Sequence, residues 1–252
     1  MVNTTVVMIG LGQLGRIFAG GFLRIGCKLV PVNRGDDMAQ IALLNPAPAL
    51  VMISVGENDL HPVLAALPQQ WKDKICLIQN ELLPRDWQQH QLDNPTVISV
   101  WFEKKKGIDA RPLLPSPVFG PVADRVVAAL QAIDLPACVL PDEQTLCYEL
   151  VRKNVYILTT NIAGMKTGGN VSQLWKNHRS IATAVAQDVM DVQDWLTGQV
   201  HDREHLMRGM LEAFEVDPEH MCMGRSAPAR LTRALEYADE AGLKVATLRS
   251  ML

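Results

Sequence analysis

The sequence predicts an α/β domain over residues 1–140 followed by an all-helical domain over residues 141–252. Up to Leu140, short apolar runs alternate with helical patterns, which is typical of a parallel sheet with helices on both faces. After Pro141, strand patterns largely vanish and apolar residues recur at helical spacing. The 252 residues are enough for two domains of ordinary size.

A glycine-rich turn joins the first strand to the first helix. Val6–Ile9 is an apolar run that predicts a buried strand, and Gln13–Ile25 has apolar residues every three or four positions. The turn has the spacing G-x-G-x-x-G, which in this context predicts a Rossmann-type dinucleotide site at a helix N-terminus. An ordinary glycine-rich turn is the alternative. The expected cofactor-binding residues of this turn are Gly10, Leu11, Gly12, Gln13, Leu14 and Gly15.

The end of the second strand, Cys27–Val32, bears on the choice of cofactor. An acidic residue at this strand end would bind the ribose of NAD, but the sequence has Asn33 followed by Arg34. An arginine can pair with a 2′-phosphate, so NADP(H) is favoured over NAD(H). Asp36 or Asp37 could still reach the ribose, which keeps NAD(H) as the alternative.

Further elements complete the predicted sheet. In an open parallel sheet, ligands bind at the carboxyl ends of the strands, which adds Val55 and Asn80 to the candidate cofactor site. The elements are a helix over 37–44, a strand over 49–55, a helix over 60–67, strands over 75–79 and 96–100, a helix over 118–133 and a strand over 137–140.

Composition excludes several classes of protein. The net charge of −3 without a long basic tract argues against nucleic-acid binding, and the Lys104–Lys106 run is interpreted as a solvated loop. No apolar run reaches the length of a membrane span, and no signal peptide is visible. Scattered cysteines without C-x-x-C pairs indicate a reducing compartment. These observations predict a soluble cytoplasmic protein that binds a small molecule.

One motif resembles a metal site. His201 and His205 fit the pattern H-x-x-E-H, but zinc needs a third ligand and the segment is charged, so we predict no metal.

The first helix of the second domain carries candidate catalytic chemistry. It is predicted over Asp142–Gly164, with Asp142 as its N-cap. Asn154 and Asn161 differ by about 20° around the helix, and Lys153 lies about 80° from Asn161. A lysine beside a nicotinamide could protonate the oxygen that forms when hydride reaches a carbonyl carbon. The alternative is that Arg152 and Lys153 simply solvate the helix.

Several segments resemble the ketopantoate reductase family, which is related in fold to 6-phosphogluconate dehydrogenase. The opening glycine loop, the segment Leu77–Asn80 and the helix segment from Arg152 to Ile162 carry the resemblance. It implies NADPH-dependent reduction of a branched 2-oxo acid to its 2-hydroxy acid. It also implies that Lys153 is the proton donor and that Asn80 and Asn161 position substrate and nicotinamide.

The chain departs from the family pattern at four places. Glu81 replaces a glycine, Ile157 replaces an asparagine, and the proline of an "N-P" pair is missing after Asn161. The family also has a substrate-contacting glutamate near the C-terminus. Here the corresponding segment has no carboxylate, and its candidate substrate residues are Ser226, Arg225 and Arg230.

The resemblance and the departures from it lead to three hypotheses about function. The leading hypothesis is an NADPH-dependent reductase of a small 2-oxo acid or related carbonyl compound. The alternatives are an NADP-binding protein of the same fold that has lost catalysis and a hydroxy-acid dehydrogenase working in the oxidative direction. Helical second domains of this type often form dimers, so by analogy this chain could form a homodimer.

Overall fold

A computed structural model describes residues 4–104, 107 and 109–252 of the chain. The chain divides into a compact first unit that ends at Cys147 and a second unit from Tyr148 to Leu252. The sequence analysis places the division after residue 140, just before the helix that begins at Glu143. Of the lysine run predicted as a solvated loop, Lys105 and Lys106 lie outside the described residues.

The first unit is built on a seven-stranded sheet with the strand order β2-β1-β3-β4-β5-β8-β9, and β6 pairs with β7 in a separate hairpin. The strands β1 to β5 are parallel, as the sequence predicts. The strands are β1 (Thr5–Ile9), β2 (Lys28–Val32), β3 (Leu50–Ile53), β4 (Ile75–Leu77), β5 (Thr96–Ile98), β6 (Phe102–Glu103), β7 (Arg111–Pro112), β8 (Ser116–Phe119) and β9 (Ala137–Val139).

The helices of the first unit pack beside this sheet. They are α1 (Gln13–Arg24), α2 (Met38–Leu44), α3 (Glu57–Ala65), α4 (Pro84–Gln88) and α5 (Ala123–Gln131), with a short 3₁₀ helix over Gln69–Lys74. Phe18 and Phe22 of α1 are fully buried in the core with Val6 and Met52 of the sheet. Such burial of apolar side chains is the main driving force for folding.

The helix predicted over 118–133 is wrong at its beginning. Val118 and Phe119 belong to β8, and α5 begins only at Ala123. The intervening Gly120 has a φ of +120°, which a helix does not allow. Among the described residues between β5 and β8 there is the β6–β7 pair and no helix, and β8 pairs antiparallel with β5.

The second unit contains only helices among the described residues, as predicted. They are α6 (Glu143–Thr167, shared with the end of the first unit), α7 (Val171–Asn177), α8 (Arg179–Thr197), α9 (Arg203–Val216), α10 (Ala227–Ala241) and α11 (Ala246–Arg249). Asp142 caps α6 as expected, because its Oδ1 accepts hydrogen bonds from the backbone N–H of Thr145 at 2.7 Å and from the Thr145 hydroxyl at 2.8 Å.

The helix α8 buries one of its faces in the second unit. Its inward face is apolar, with Val185, Val189 and Met190 excluded from solvent. In the described part of the chain, no helix combines the length and hydropathy that a membrane span requires.

Candidate active site

The glycine turn has a geometry that only glycine satisfies at two positions. Gly10 has a φ of +88°, which L-residues rarely adopt. A methyl group at Gly15 would lie 2.5 Å from the Gly10 carbonyl oxygen and 2.7 Å from the Ser54 hydroxyl. Ser54 Oγ donates a hydrogen bond of 2.6 Å to that same carbonyl. The start of α1 is therefore packed directly against the turn at the end of β1.

Gly12 differs from the other two glycines because it faces open space. No heavy atom lies within 4 Å of a methyl group placed there. Gly12 is the N-cap residue of α1, and the first turn of the helix has no acidic residue. The N–H groups and the positive end of the helix dipole are therefore suited to an anion that approaches the backbone at Gly12.

A groove of about 810 Å³ opens over this turn, and we call it the α1 groove. The end of β2 and one face of α3 form its other walls, with Met38, Pro62 and Val63 as apolar lining. An apolar surface with a few polar groups is typical of a cofactor site. Six of the ten predicted cofactor-binding residues line the groove, namely Gly10, Leu11, Gly12, Asn33, Arg34 and Val55.

The polar and charged residues at the end of β2 form hydrogen bonds and an ion pair. Asp36 Oδ2 accepts hydrogen bonds from the backbone N–H of Asn33 at 2.7 Å and from the Asn33 side chain at 3.3 Å. Arg34 Nη2 lies 3.0 Å from Asp59 Oδ2 on α3, and 90% of the Arg34 side chain is exposed. Asp37 is occupied as the N-cap of α2. Of the two aspartates considered for the ribose, only Asp36 lines the groove.

The remaining predicted cofactor residues lie elsewhere in the first unit. Gln13 is exposed and Leu14 packs against the core, so neither side chain lines the α1 groove. Asn80 is half-buried beyond β4, with its Nδ2 3.5 Å from Glu57 Oε1. The sequence analysis missed Arg16, which lines the groove and donates a hydrogen bond of 3.0 Å from Nε to the Leu11 carbonyl. Its position directly after the third glycine was the available signal.

Glu81 occupies a conformation that favours glycine. Its φ is +61°, in the left-handed region. This is the position at which the resemblance leads one to expect glycine, so the backbone retains the turn although the side chain has changed. A non-glycine residue in this region is strained by about 1–2 kcal/mol.

The second unit places Lys153 on α6 in a positively charged environment. The side chain is half-buried, and its Nζ lies 5.7 Å from the centre of the Tyr156 ring. Burial, followed by the charges of Arg230 and Arg152, lowers the pKa of Lys153 to about 7. An amine with this pKa can both give and take a proton near neutral pH.

The neighbouring polar residues of α6 are bound to other helices. Arg152 donates to the Gly209 carbonyl at 3.1 Å and pairs with Glu212 at 2.9 Å, so it connects α6 to α9 instead of only solvating the helix. Asn154 donates to Gln193 Oε1 of α8 at 2.9 Å. Asn161 accepts a hydrogen bond of 2.8 Å from Arg230 Nη1 of α10.

The beginning of α10 contains the remaining substrate candidates. Ser226 is its exposed N-cap residue, one turn before Arg230, and Arg225 is exposed. Gly224 lies beside Asn161, since a methyl group there would be 3.3 Å from Asn161 Oδ1. Of the three candidates in this segment, Arg230 is the one whose side chain the structure brings to α6.

The two histidines of the H-x-x-E-H pattern make separate contacts. The His201 ring lies 2.9 Å from the Thr197 hydroxyl, whereas the His205 ring stacks on Tyr148 at 4.2 Å.

Together, the mostly parallel sheet, the glycine turn and the helical second unit define a Rossmann-type fold followed by an all-helical unit. Comparison with solved structures finds the same fold in ketopantoate reductases. The chain is similar to 2-dehydropantoate 2-reductase from Methylococcus capsulatus, with 12% identity, 98% of this chain and 94% of that chain covered and a TM-score of 0.72.

Two further solved structures with the same fold are a dimeric ketopantoate reductase and a dehydrogenase. A dimeric ketopantoate reductase from Staphylococcus aureus has 15% identity over 98% of this chain and 95% of that chain, with a TM-score of 0.62. D-mandelate dehydrogenase, solved with NADH and anilino(oxo)acetate, has 11% identity over 98% and 96% of the two chains and a TM-score of 0.69. No family profile and no curated protein matches the sequence.

The packing at Gly15 predicts that Gly15→Ala destabilises the first unit. Its methyl group would collide with the Gly10 carbonyl and the Ser54 hydroxyl, and such overpacking costs about 1–3 kcal/mol. Thermal denaturation measures the loss. The control is Gly20→Ala on the same helix, where a methyl group meets nothing within 4 Å and helix propensity is improved. Equal stabilities of the two variants would contradict this account.

The strain at Glu81 predicts that Glu81→Gly does not destabilise the protein. Relief of the left-handed strain exceeds the added entropy of the unfolded chain, for a gain of up to about 1 kcal/mol. The matched control is Gln40→Gly, at an exposed position within α2, which should lose about 1 kcal/mol. Chemical denaturation compares the two, and a similar loss in both would show that φ at Glu81 is unstrained.

Proposed function

We propose that this protein is an NADP(H)-dependent oxidoreductase that reduces a small 2-oxo acid or a related carbonyl compound. The observation that carries the proposal is the open helix N-terminus at Gly12 beneath the α1 groove, which is the site that a dinucleotide phosphate requires. The ketopantoate reductase fold supports the same reaction class by analogy.

The preference for NADP(H) rests on the end of β2. Arg34 lines the groove, and its exposed guanidinium is suited to a 2′-phosphate. Arg16 adds a second positive charge to the same groove. The bonds that Asp36 makes to Asn33 reduce its capacity to accept hydrogen bonds from a ribose diol.

In the proposed reaction, NADPH supplies the hydride and Lys153 supplies the proton. The ammonium group stabilises the negative charge that develops on the carbonyl oxygen and then transfers its proton to that oxygen. Lys153 is suited to this step because an acid with a pKa of about 7 releases its proton readily at neutral pH.

The same pKa favours a second candidate, which is oxidation of a 2-hydroxy acid with NADP⁺. A neutral Lys153 amine would then take the hydroxyl proton. The catalytically inactive alternative predicts saturable NADPH binding without turnover of any carbonyl compound.

We expect Arg34→Ala to weaken NADP(H) binding about 10- to 100-fold, because a charge-assisted hydrogen bond to the 2′-phosphate is lost. NADH affinity should stay within about twofold, since NADH lacks that phosphate. Calorimetric titration with both nucleotides measures the difference.

Asp59→Asn provides the opposite change at the same place. It removes the carboxylate that pairs with Arg34 at 3.0 Å and that would repel the phosphate, so NADP(H) affinity should rise by up to about fivefold. If either substitution changes the affinities for NADPH and NADH by the same factor, Arg34 does not bind the 2′-phosphate.

We expect Lys153→Ala to reduce turnover of the carbonyl substrate about 10²- to 10⁴-fold while NADPH binding is retained, because the general acid is lost. In the wild type, kcat/KM for reduction should fall as pH rises through about 7, since only the protonated lysine can donate. Lys153→Arg keeps the charge but stays protonated over this range, so this decline should disappear.

The measurement is NADPH oxidation by a panel of 2-oxo acids between pH 5.5 and 9, a range chosen to bracket the pKa of Lys153 at about 7. Activity that instead increases with pH in the presence of NADP⁺ and hydroxy acids supports the oxidative alternative. Turnover unaffected by Lys153→Ala would remove this residue from the mechanism.

A further inference from the structure

A cavity of about 510 Å³ lies in the second unit, and we call it the α7–α9 cavity. Its walls come from α7, the beginning of α8 and the end of α9. Trp175 and Phe214 provide aromatic lining, with ring centres 6.4 Å apart in an edge-to-face arrangement, and Val171, Leu211 and Pro218 add aliphatic surface. Among the described residues that line it, none is assigned above to the nucleotide or to the carbonyl substrate. The volume and the apolar lining suit a small organic molecule.

Arg179 lines this cavity beside the aromatic rings. It is the first residue of α8, and its Cζ lies over the Trp175 ring, 4.6 Å from the ring centre. This cation–π contact holds the guanidinium next to the apolar lining. An aromatic ring attracts a cation without neutralising its net charge, so the guanidinium can still pair with the two oxygens of a carboxylate.

A second cation, Lys176, lines the cavity from the last turn of α7. Within the described part of the chain, neither Lys176 nor Arg179 forms an ion pair with a carboxylate. Glu215 is the one acidic residue among the described residues of the lining, which therefore has two positive charges and one negative charge. A surface with this excess of positive charge attracts an organic anion and repels an organic cation.

The apolar and the charged parts of the lining together define the class of ligand. Aromatic side chains gain most from contact with a flat or branched apolar body. A carboxylate on that body would pair with the two cations, whereas an uncharged molecule of the same shape would desolvate them without compensation. A bare inorganic anion would leave the aromatic lining unused.

We propose that the α7–α9 cavity is a binding site for an apolar carboxylate. The apolar body of this organic acid packs on Trp175 and Phe214, and its carboxylate is bound by Arg179 and Lys176. The site is separate from the proposed reaction, because it requires neither NADPH nor turnover.

The test compares 2-naphthoate with 2-naphthamide, which has the same rings without the charge, by calorimetric titration of the full chain. We expect wild type to bind the acid about 10-fold more tightly than the amide. Arg179→Gln should weaken binding of the acid about 10-fold and change binding of the amide less than about twofold. Glu215→Gln should strengthen binding of the acid about twofold, because it removes a repulsive charge from the lining.

Two control variants show whether the acid binds in this cavity. Arg208→Gln removes an exposed positive charge from α9 that does not line the cavity, so it should leave both affinities unchanged. Lys153→Ala should also leave them unchanged, because Lys153 does not line the cavity. Circular dichroism confirms that each variant is folded.

Nuclear magnetic resonance locates the ligand independently of affinity. The indole N–H signal of Trp175 is assigned by its absence in Trp175→Phe, and it should shift during titration with 2-naphthoate. The signals of Trp71, Trp87, Trp101 and Trp195 should stay in place, since none of these residues lines the cavity.

Three results would overturn the proposal. They are the absence of saturable 2-naphthoate binding, equal affinities of wild type for the acid and the amide, and binding that Arg179→Gln leaves unchanged. Loss of binding in Lys153→Ala would place the acid at the proposed catalytic lysine and would equally refute a site in the α7–α9 cavity. Because the titrations contain no nucleotide, a failure of the proposed reductase function would leave their outcome unaffected.

Discussion

The first unit depends on the contact between the Gly10 carbonyl, the Ser54 hydroxyl and Gly15. The backbone N–H of Ser54 extends the β1–β3 ladder by bonding Ile9, and its hydroxyl bonds the Gly10 carbonyl at 2.6 Å. Gly15 then brings the start of α1 against both groups. This contact holds the helix N-terminus at the carboxyl end of the central strands, where its unpaired N–H groups can face an anion. The end of β2 and α3 form the other walls of the α1 groove above this contact.

Polar contacts of α6 with three other helices orient the helices of the second unit. Arg152, Asn154 and Asn161 bond to α9, α8 and α10, respectively. Buried polar groups need partners of defined geometry. These contacts therefore define the packing geometry of the helices more narrowly than apolar burial does. Lys153 lies within this framework, and its lowered pKa follows from burial and from the two arginines that the same contacts position.

The sequence analysis succeeded where a local pattern has one structural solution. The strand–glycine turn–helix at β1 and α1, the alternation of β1 to β5 and the N-cap at Asp142 are of this kind. It was wrong for Val118 and Phe119, whose apolar character suits a buried strand as well as a helix. Periodicity also could not show which helix each amide of α6 contacts, so Asn154 and Asn161 looked equivalent although they bond to α8 and α10, respectively.

The sequence by itself determined the succession of β1 to β5, the glycine turn and the presence of a lysine on the long helix, because these depend on residues close together in the chain. The tertiary structure decided which charges meet. The pair of Arg34 with Asp59 joins residues 25 positions apart, and the pair of Asn161 with Arg230 joins residues 69 positions apart. Glu81 keeps a left-handed backbone conformation although it is not glycine. Such pairings follow from the packing of whole elements, whose register no local pattern contains.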